Sequence, residues 1–401
     1  MSEDTPLLMV SVSGRDKPGI TAALTRVMLD HDVEIVDVEQ ASLQDLLGLT
    51  FLLDTSGAAR SKDGVIKDLL FEGSRLGLTL HFRLFSESEV RKAGQRRLYV
   101  LTFFGGTRAL AELSQVLSDE GANIEMISSL TQHNARCIEM MVNVAGAENP
   151  GRLKRRVMSR GREINVDLAF QKIESYRKSK RLIFFDMDST LIDMEVIDEM
   201  ASRAGVFQEV ARITEKAMRG EIDFEEALTQ RVALLKGLSV AEMTDIREHL
   251  VLSEGVETVA ATLKALGFKL GLVTGGFDFF ADHLKARLGF DFAYANRLEI
   301  KNDTLTGRLI GPIVDAAQKA RIVNQVSREL NIMLDQTVAV GDGANDALML
   351  GQAGLGLSYN AKTDLGRVAS SSIGRSRMMN VLYLLGITED DIREISTDRP
   401  G

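Results

Sequence analysis

Tryptophan is absent from the 401 residues, cysteine occurs once, and there are only five prolines and five histidines. The lone Cys137 excludes a disulfide framework and any thiolate zinc site, and reads as a small buried apolar residue. His31, His81, His133, His249 and His283 include no i, i+4 pair, so the pattern gives no support to a histidine-based metal centre. No Pro- or Ser-rich linker stands out, and successive domains are expected to join directly. Long apolar runs are missing too: the stretches near 182–185 and 381–387 fall far short of the ~20 residues of a membrane span. The first residues, Met-Ser-Glu-Asp-Thr-Pro, lack the cationic and apolar regions of a signal peptide, so a cytoplasmic location is expected. There is no basic excess either. Lys and Arg number 48 against 57 Asp and Glu, a net charge of −9, which argues against a nucleic-acid partner. What remains, 45% hydrophobic and 26% charged residues, describes a soluble globular chain, and its length calls for two or three domains at roughly 100–200 residues each.

An internal repeat fills the first 175 residues. The run Leu7 to Gly14 reads as an apolar strand stopped by glycine, and residues 98–105 repeat it about ninety positions later. A helical pattern follows each, with Ile20, Leu24, Val27 and Met28 on one face in the first copy and Leu110, Leu113, Val116 and Leu117 in the second. Two strand-like runs come next (34–42 with 47–53, then 123–130 with 136–145). A second helix (about 62–76, then 149–162) and a last strand (78–85, then 164–171) complete each copy. The order βαββαβ, twice, is the ferredoxin-like arrangement of an antiparallel sheet with two helices on one face. Its open edges invite pairing with another copy, so a homodimer is expected. The most basic run, Arg152 to Arg162, lacks aromatic residues and reads as a solvated helix face.

Between the first strand and helix stands Gly14-Arg-Asp-Lys-Pro-Gly-Ile20. Pro18 and the glycines make a turn that presents backbone N–H groups at a helix N-terminus. That turn either holds the carboxylate of a small amino acid or is a plain tight connection. Gly14 to Ile20, followed by Val33 to Val38, resembles the ACT domain, a regulatory module that binds amino acids. The second copy departs from the pattern, with a shortened Gly105-Gly106-Thr107 turn and no Asp-x-Pro-Gly. The resemblance implies Asp16 and Gly19 as effector contacts, and Gly105 as a weaker counterpart.

Arg181-Leu-Ile-Phe-Phe-Asp-Met-Asp-Ser-Thr190 carries the most information. The apolar run 182–185 marks a buried parallel strand, and Asp186 and Asp188 follow on one side of an extended chain. Open α/β sheets place their sites at such strand ends. One carboxylate can attack phosphorus and a second can move the proton, although the pair also suits a plain cation site or a capped turn. Lys269 to Gly276 is another apolar strand ending in Thr274-Gly275-Gly276, whose hydroxyl and N–H groups can bind phosphate oxygens, or make an ordinary turn. Lys319, after Asp315, either neutralises phosphate charge or is a surface lysine. Thr337 to Asp346 is a third strand running into acids. Asp342 suits Mg²⁺, and Asn345 and Asp346 could support the metal shell or Lys319. The Gly341-x-Gly343 pair is no dinucleotide fingerprint, since Asp346 replaces the third glycine.

Together, Asp186-Met-Asp-Ser-Thr190, Thr274-Gly-Gly, Lys319 and Gly341-Asp-Gly-Ala-Asn-Asp346 resemble the haloacid dehalogenase superfamily over most of 181–390. The resemblance implies a doubly wound, mostly parallel α/β core, with Asp186 as nucleophile and Asp188 as acid/base. It also implies Mg²⁺ held by Asp186, Asp342 and the Asp188 carbonyl. Residues 196–254 read as a helical cap that excludes water and carries substrate choice. With Glu195, the Met218 to Phe224 stretch and Arg231, the pattern resembles the phosphoserine phosphatase family. There Glu195 would meet the substrate ammonium, Arg231 its carboxylate, and Met218 and Phe224 would form an apolar wall, with Gly275, Lys319 and Asn345 on the phosphate side. Thr274 stands where serine is frequent, and the hydroxyl is kept. The expected domains are 1–87, 88–178 and 179–401, the first two regulatory. The expected activity is Mg²⁺-dependent hydrolysis of O-phospho-L-serine through an aspartyl-phosphate, the last step of serine biosynthesis, with L-serine feeding back through the ACT domains. The competing expectations are another small phosphorylated amino acid as substrate, or an amino-acid sensor that no longer reacts.

Overall fold

The structure is a computed structural model and describes residues 7–56, 62–85, 96–131, 137–173, 179–360, 371–373 and 378–397. The chain divides into two compact units, Met1–Arg96 and Arg97–Gly401.

In the first unit the elements run β1 (Leu7–Arg15), helix Ile20–Asp30, β2 (Glu34–Leu43), β3 (Leu46–Asp54), helix Lys62–Leu76 and β4 (Thr79–Phe85). They form one antiparallel sheet in the order β2-β3-β1-β4. Alternation builds its core: Leu8, Val10 and Val12 face inward with Leu47, Leu49, Phe51 and Leu53, against Ile20, Leu24 and Met28 of one helix and Val65 and Leu69 of the other. Buried His31 ends the first helix and its Nε2 lies 2.8 Å from Asp68 on the second. The edge strand β2 is exposed along its whole length, with Ile35, Val36 and Val38 in solvent.

The second unit opens with the second copy: β5 (Leu98–Phe104), helix Thr107–Asp119, β6 (Asn123–Ser129), β7 (Cys137–Asn143), helix Pro150–Glu163 and β8 (Leu168–Lys172). The last strand starts later than the 164 expected, because the helix runs to Glu163 and the chain then turns through Asn165 at φ +55°. Where the first copy has His31, this copy has buried Glu120, which accepts from Arg152 Nε (2.9 Å) and Arg156 Nη1 (2.6 Å). The basic run is therefore partly a helix clamp.

The remaining chain forms β9 (Leu182–Phe185), four helices (Val196–Arg203, Phe207–Met218, Phe224–Leu234, Val240–Glu248) and helix Val256–Ala265. After these come β10 (Lys269–Phe277), helix Asp278–Leu288, the β11–β12 hairpin (Phe292–Lys301, Thr304–Ile310) and helix Ala316–Glu329. Then follow β13 (Thr337–Gly341), a 3-10 turn at Ala344–Asp346, helix Ala347–Gln352, β14 (Leu355–Tyr359), β15 (Ser371–Ile373) and two short helices, Asn380–Leu384 and Glu389–Thr397. One sheet runs through the unit in the order β12-β11-β10-β9-β13-β14-β15-β8-β5-β7-β6. Pairs from β11 to β15 are parallel; at Ser371↔Ala169 the sheet turns antiparallel and continues into the second copy. Strand β9 lies centrally, covered on both faces, which is why Leu182–Phe185 reads as an unbroken apolar run. Its neighbours β10 and β13 both follow it in the chain but flank it on opposite sides, so the chain crosses over β9 and the carboxyl end of β9 is a topological switch point.

The four helices after β9 leave and rejoin the core through a short ribbon, Asp193 N to Val251 O (3.0 Å) and Ser253 N to Leu191 O (2.9 Å). Their far end is stitched to β12 by Gly237 N to Leu305 O and Leu305 N to Leu238 O, both 2.9 Å. Just past the ribbon, Glu254 O accepts from Met378 N at 3.0 Å. The helix that begins there is held to the second copy by Asn380 Nδ2 to Asp167 Oδ2 (3.3 Å) and Gln171 Nε2 to Leu384 O (3.2 Å).

Because the second copy shares its sheet with the parallel strands, a cavity in its core weakens the whole unit. Leu113, fully buried there, is the test: Leu113→Ala is expected to cost about 2–5 kcal/mol and to lower the main cooperative transition in chemical denaturation, not a separate minor one.

Candidate active site

The acids and the lysine meet at the carboxyl ends of β9, β13 and β10. Asp186 leaves β9 with its N–H bound to Val340 O of β13 at 2.9 Å, which fixes one strand end against the other. Lys319, in the first turn of the helix capped by Asp315, reaches in from the side. Its Nζ donates to Asp186 Oδ1 at 2.8 Å and to Asp346 Oδ1 at 2.7 Å, all three groups being buried. Asp346 also accepts from Gly343 N at 3.0 Å. Gly341 makes the approach of Asp346 possible, since a Cβ there would run into the Asp346 carboxyl.

Asp186, Asp342 and Asp346 offer carboxylate oxygens within 4.8 Å of one another. Hard oxygen donors in a buried cluster suit Mg²⁺, and one lysine leaves the cluster with excess negative charge that a divalent cation would offset. Asp346 already accepts from Lys319 and Gly343, so Asp186 and Asp342 are the carboxylates best placed as ligands. Asp188 lies on the cap side and Asn345 in the 3-10 turn beside the cluster.

Burial and the neighbouring Asp346 charge raise the Asp186 carboxyl to about 6, against the downward pull of Lys319. Burial also raises Asp188 well above the usual carboxylate range, with the Glu195 charge adding to it. Asp188 Oδ1 accepts from Val196 N at 3.0 Å, which fastens the loop after β9 to the first helix that follows it.

On the third strand, Thr274 is buried and its Oγ1 accepts from Gly276 N at 2.9 Å. Gly276 sits so close that an added Cβ would lie 2.7 Å from Asp188 Oδ2 and 3.2 Å from Thr274 Oγ1. Phe224 of the cap covers Gly275. Met218, expected beside it, is 79% exposed at the end of its helix. Arg231 donates to Thr214 Oγ1 at 3.4 Å, and burial lowers its proton affinity while Asp198, Glu195 and Asp188 raise it. Those carboxylates lie near enough to act on the charge of the guanidinium. Glu195, exposed, accepts from Ser189 Oγ at 3.0 Å.

The structure adds residues the sequence did not single out. Buried Asn296 on β11 donates to Gly275 O (2.8 Å) and accepts from Val314 N (2.8 Å), holding the Thr274–Gly275 turn. Its neighbour in sequence gives no signal; only the β10–β11 pairing brings it there. Thr214 and Ser189 likewise orient charged groups.

In the first unit, Asp16 accepts from Ser42 Oγ at 2.8 Å, and Gly19 begins its helix at φ +94° with open space around it. Gly105 in the second copy is tight against Ala109, 2.6 Å from an added Cβ to the Ala109 Cβ.

The raised Asp186 carboxyl sets a pH dependence. Its folded value lies above the unfolded one, so between about pH 4 and pH 6 the folded chain binds more protons and stability falls as pH rises. In chelator, the wild type is expected to lose stability relative to Asp186→Asn across that window. Excess Mg²⁺ is expected to restore it, by ~2.7 kcal/mol at a hundredfold excess over its dissociation constant. Thermal unfolding against pH, with and without Mg²⁺, measures both.

Comparison with known proteins agrees with this geometry. Residues 180–354 match the haloacid dehalogenase-like hydrolase family, and 6–83 and 104–171 each match an ACT domain family. A phosphoserine phosphatase of Streptomyces coelicolor is 36% identical over 409 residues, spanning 100% of this chain and 98% of the relative. One from Mycobacterium tuberculosis is 38% identical over 390 residues, covering 96% and 94%. The crystal structure of a probable phosphoserine phosphatase from Vibrio cholerae superposes with a TM-score of 0.57 at 31% identity, over 74% of this chain and 88% of that one. The chain therefore belongs to the phosphoserine phosphatase family: a phosphatase with a haloacid dehalogenase-like hydrolase domain behind two ACT domains.

Proposed function

We propose that this enzyme hydrolyses O-phospho-L-serine to L-serine and phosphate, with Mg²⁺, through an aspartyl-phosphate on Asp186. The observation that carries the substrate is the opposed pair Glu195 and Arg231, both close enough to Asp188 to act on its charge. A phosphoserine whose ester lies over Asp186 and Asp188 extends an ammonium and a carboxylate toward that pair, and a guanidinium matches a carboxylate with two parallel hydrogen bonds.

The chemistry follows from the carboxyls. Lys319 favours the anionic form of Asp186 although it is buried, so that a carboxylate oxygen can attack phosphorus. The new P–O bond forms as the bond to the serine oxygen breaks. Asp188, whose buried surroundings favour its protonated form, gives its proton to that leaving oxygen. The resulting Asp188 carboxylate then takes a proton from water, which attacks the phosphoryl group, releases inorganic phosphate and regenerates Asp186. Thr274 Oγ1, the Gly275 N–H, Lys319 and Asn345 line the phosphate side, and Phe224 walls the site from the cap. Mg²⁺, held by Asp186, Asp342 and the Asp188 carbonyl, would offset phosphate charge and so ease the approach of an anionic nucleophile.

With this function go three domains, 1–87, 88–178 and 179–401, and regulation of the cytoplasmic enzyme by L-serine at the first ACT domain, around Asp16 and Gly19. Exposed apolar β2 of that domain supports pairing into a homodimer. No helix among the described residues is long and apolar enough to cross a membrane.

Phosphate release from O-phospho-L-serine, other phosphorylated amino acids and esters lacking an ammonium tests the substrate. Phosphoserine is expected to lead, with turnover abolished by chelator; a preference for a non-amino-acid ester would refute the proposal. Asp186→Asn is expected to lose all detectable turnover while the fold and phosphoserine binding persist, measured by calorimetric titration beside the assay. Arg231→Ala is expected to raise KM for phosphoserine by about 10–100-fold.

A further inference from the structure

Glu195 occupies the N-cap position of helix Val196–Arg203, where an acidic side chain ordinarily accepts from the helix's own first amides. It makes no such cap bond here. The first amide of the helix, Val196 N, donates to Asp188 Oδ1 at 3.0 Å. The Glu195 carboxylate reaches back along the loop: its Oε1 accepts from Ser189 Oγ at 3.0 Å.

Ser189 is placed for this at a cost. It sits at φ +55°, in the left-handed region that glycine and asparagine enter more readily than serine. Its backbone is fixed there by Ser189 N to Met194 O at 3.2 Å, and the loop is closed further by the Asp188↔Ile192 bridge. A side chain held in a disfavoured backbone state beside a catalytic carboxyl points to a use for its hydroxyl. The use is visible in the geometry. Glu195 is exposed, and an exposed glutamate samples many rotamers unless something holds it. A carboxylate only accepts, so Ser189 must donate, occupying one oxygen.

We propose that Ser189 is a positioning residue for substrate recognition: its hydroxyl locks the Glu195 carboxylate in the rotamer that turns the second oxygen toward the substrate ammonium. It rests on the assignment of Glu195 as the ammonium site, and it deepens that assignment by tying amine selectivity to the same five-residue turn that carries the nucleophile. Ser189 thus bridges the chemistry at Asp186 and Asp188 to the discrimination at Glu195 without touching substrate.

The test is the ratio of kcat/KM for O-phospho-L-serine to that for its desamino analogue, the same ester with hydrogen in place of the ammonium. It is measured with Mg²⁺ in the full chain for the wild type, Ser189→Gly, Ser189→Asn, Glu195→Gln and the Ser189→Gly/Glu195→Gln double variant. Ser189→Gly relieves the backbone conformation while removing the hydroxyl, so its melting temperature is expected to hold or rise. Its ratio is expected to fall about tenfold, through KM for phosphoserine. Ser189→Asn, which tolerates positive φ and donates from its amide, is expected to recover part of the ratio. In the Glu195→Gln background, Ser189→Gly is expected to add little, since the two act as one unit. An unchanged ratio in Ser189→Gly, or a full additional loss in the double variant, overturns the positioning role. A wild type indifferent to the ammonium overturns the Glu195 assignment instead, and this inference with it.

Discussion

The site depends on one buried ammonium. Lys319 Nζ lies between Asp186 and Asp346, within 2.8 Å of each, with no solvent to share the load. Remove it and two carboxylates are left buried and unpaired, a cost that ordinarily drives such groups to take up protons. Keep it, and both acids are held at fixed positions on different strand ends, with Asp186 available as an anion. The lysine is itself compelled into place: its helix begins at the Asp315 cap, where Oδ1 accepts from Gln318 N at 2.7 Å, and packs through Ile322, Val323 and Val326 onto the sheet. Electrostatics and packing therefore specify the same geometry, and neither alone would.

Charge balance explains why the remaining groups differ in character. Asp186, Asp188, Asp342 and Asp346 crowd one end of the sheet opposite a single lysine, so one carboxyl must stay neutral or a cation must enter. Asp188 is pushed toward its neutral form by burial and by the Glu195 charge. Burial raises both acids, two residues apart, but only Asp186 is hydrogen-bonded to Lys319, which pulls against that rise.

Much of this was legible in the chain. The strand ends announce themselves because a parallel strand buried on both faces reads as an unbroken apolar run, so the residue where polarity resumes marks the end of β9, β10 or β13. The repeat in the first 175 residues was legible for a related reason: alternation and helical periodicity recur in the same order. Other features had no local signature. Asn296 matters only because β11 pairs beside β10, and the sheet passes into the second ACT-like copy only through the pairing of residues about two hundred positions apart, Ser371 with Ala169. The Arg152 to Arg162 run looked like a solvated face because its partner, Glu120, lies on another helix. Met218 was expected against Phe224; nothing in helical spacing tells that its side chain would end in solvent.

The cap shows how selectivity can rest on rigid parts. Its helices carry Arg231 and Phe224, and they are anchored at both ends to elements that do not belong to it: the ribbon at 191–193 and 251–253, and the edge of β12 at 237–240. Gly307, at φ +79°, lies where a side chain would press on the Ala233 carbonyl, 3.0 Å away, so close contact between β12 and the cap helix depends on glycine. On the other side, the return limb is bound to Met378, whose helix also grips β8 of the second ACT-like copy. Arg231 and Glu195 are set by the helices after β9 and by the turn after Asp188, while Asp186, Lys319 and Asp346 are set by the sheet. One set of side chains is thus positioned by the helices and turn after β9, the other by the sheet.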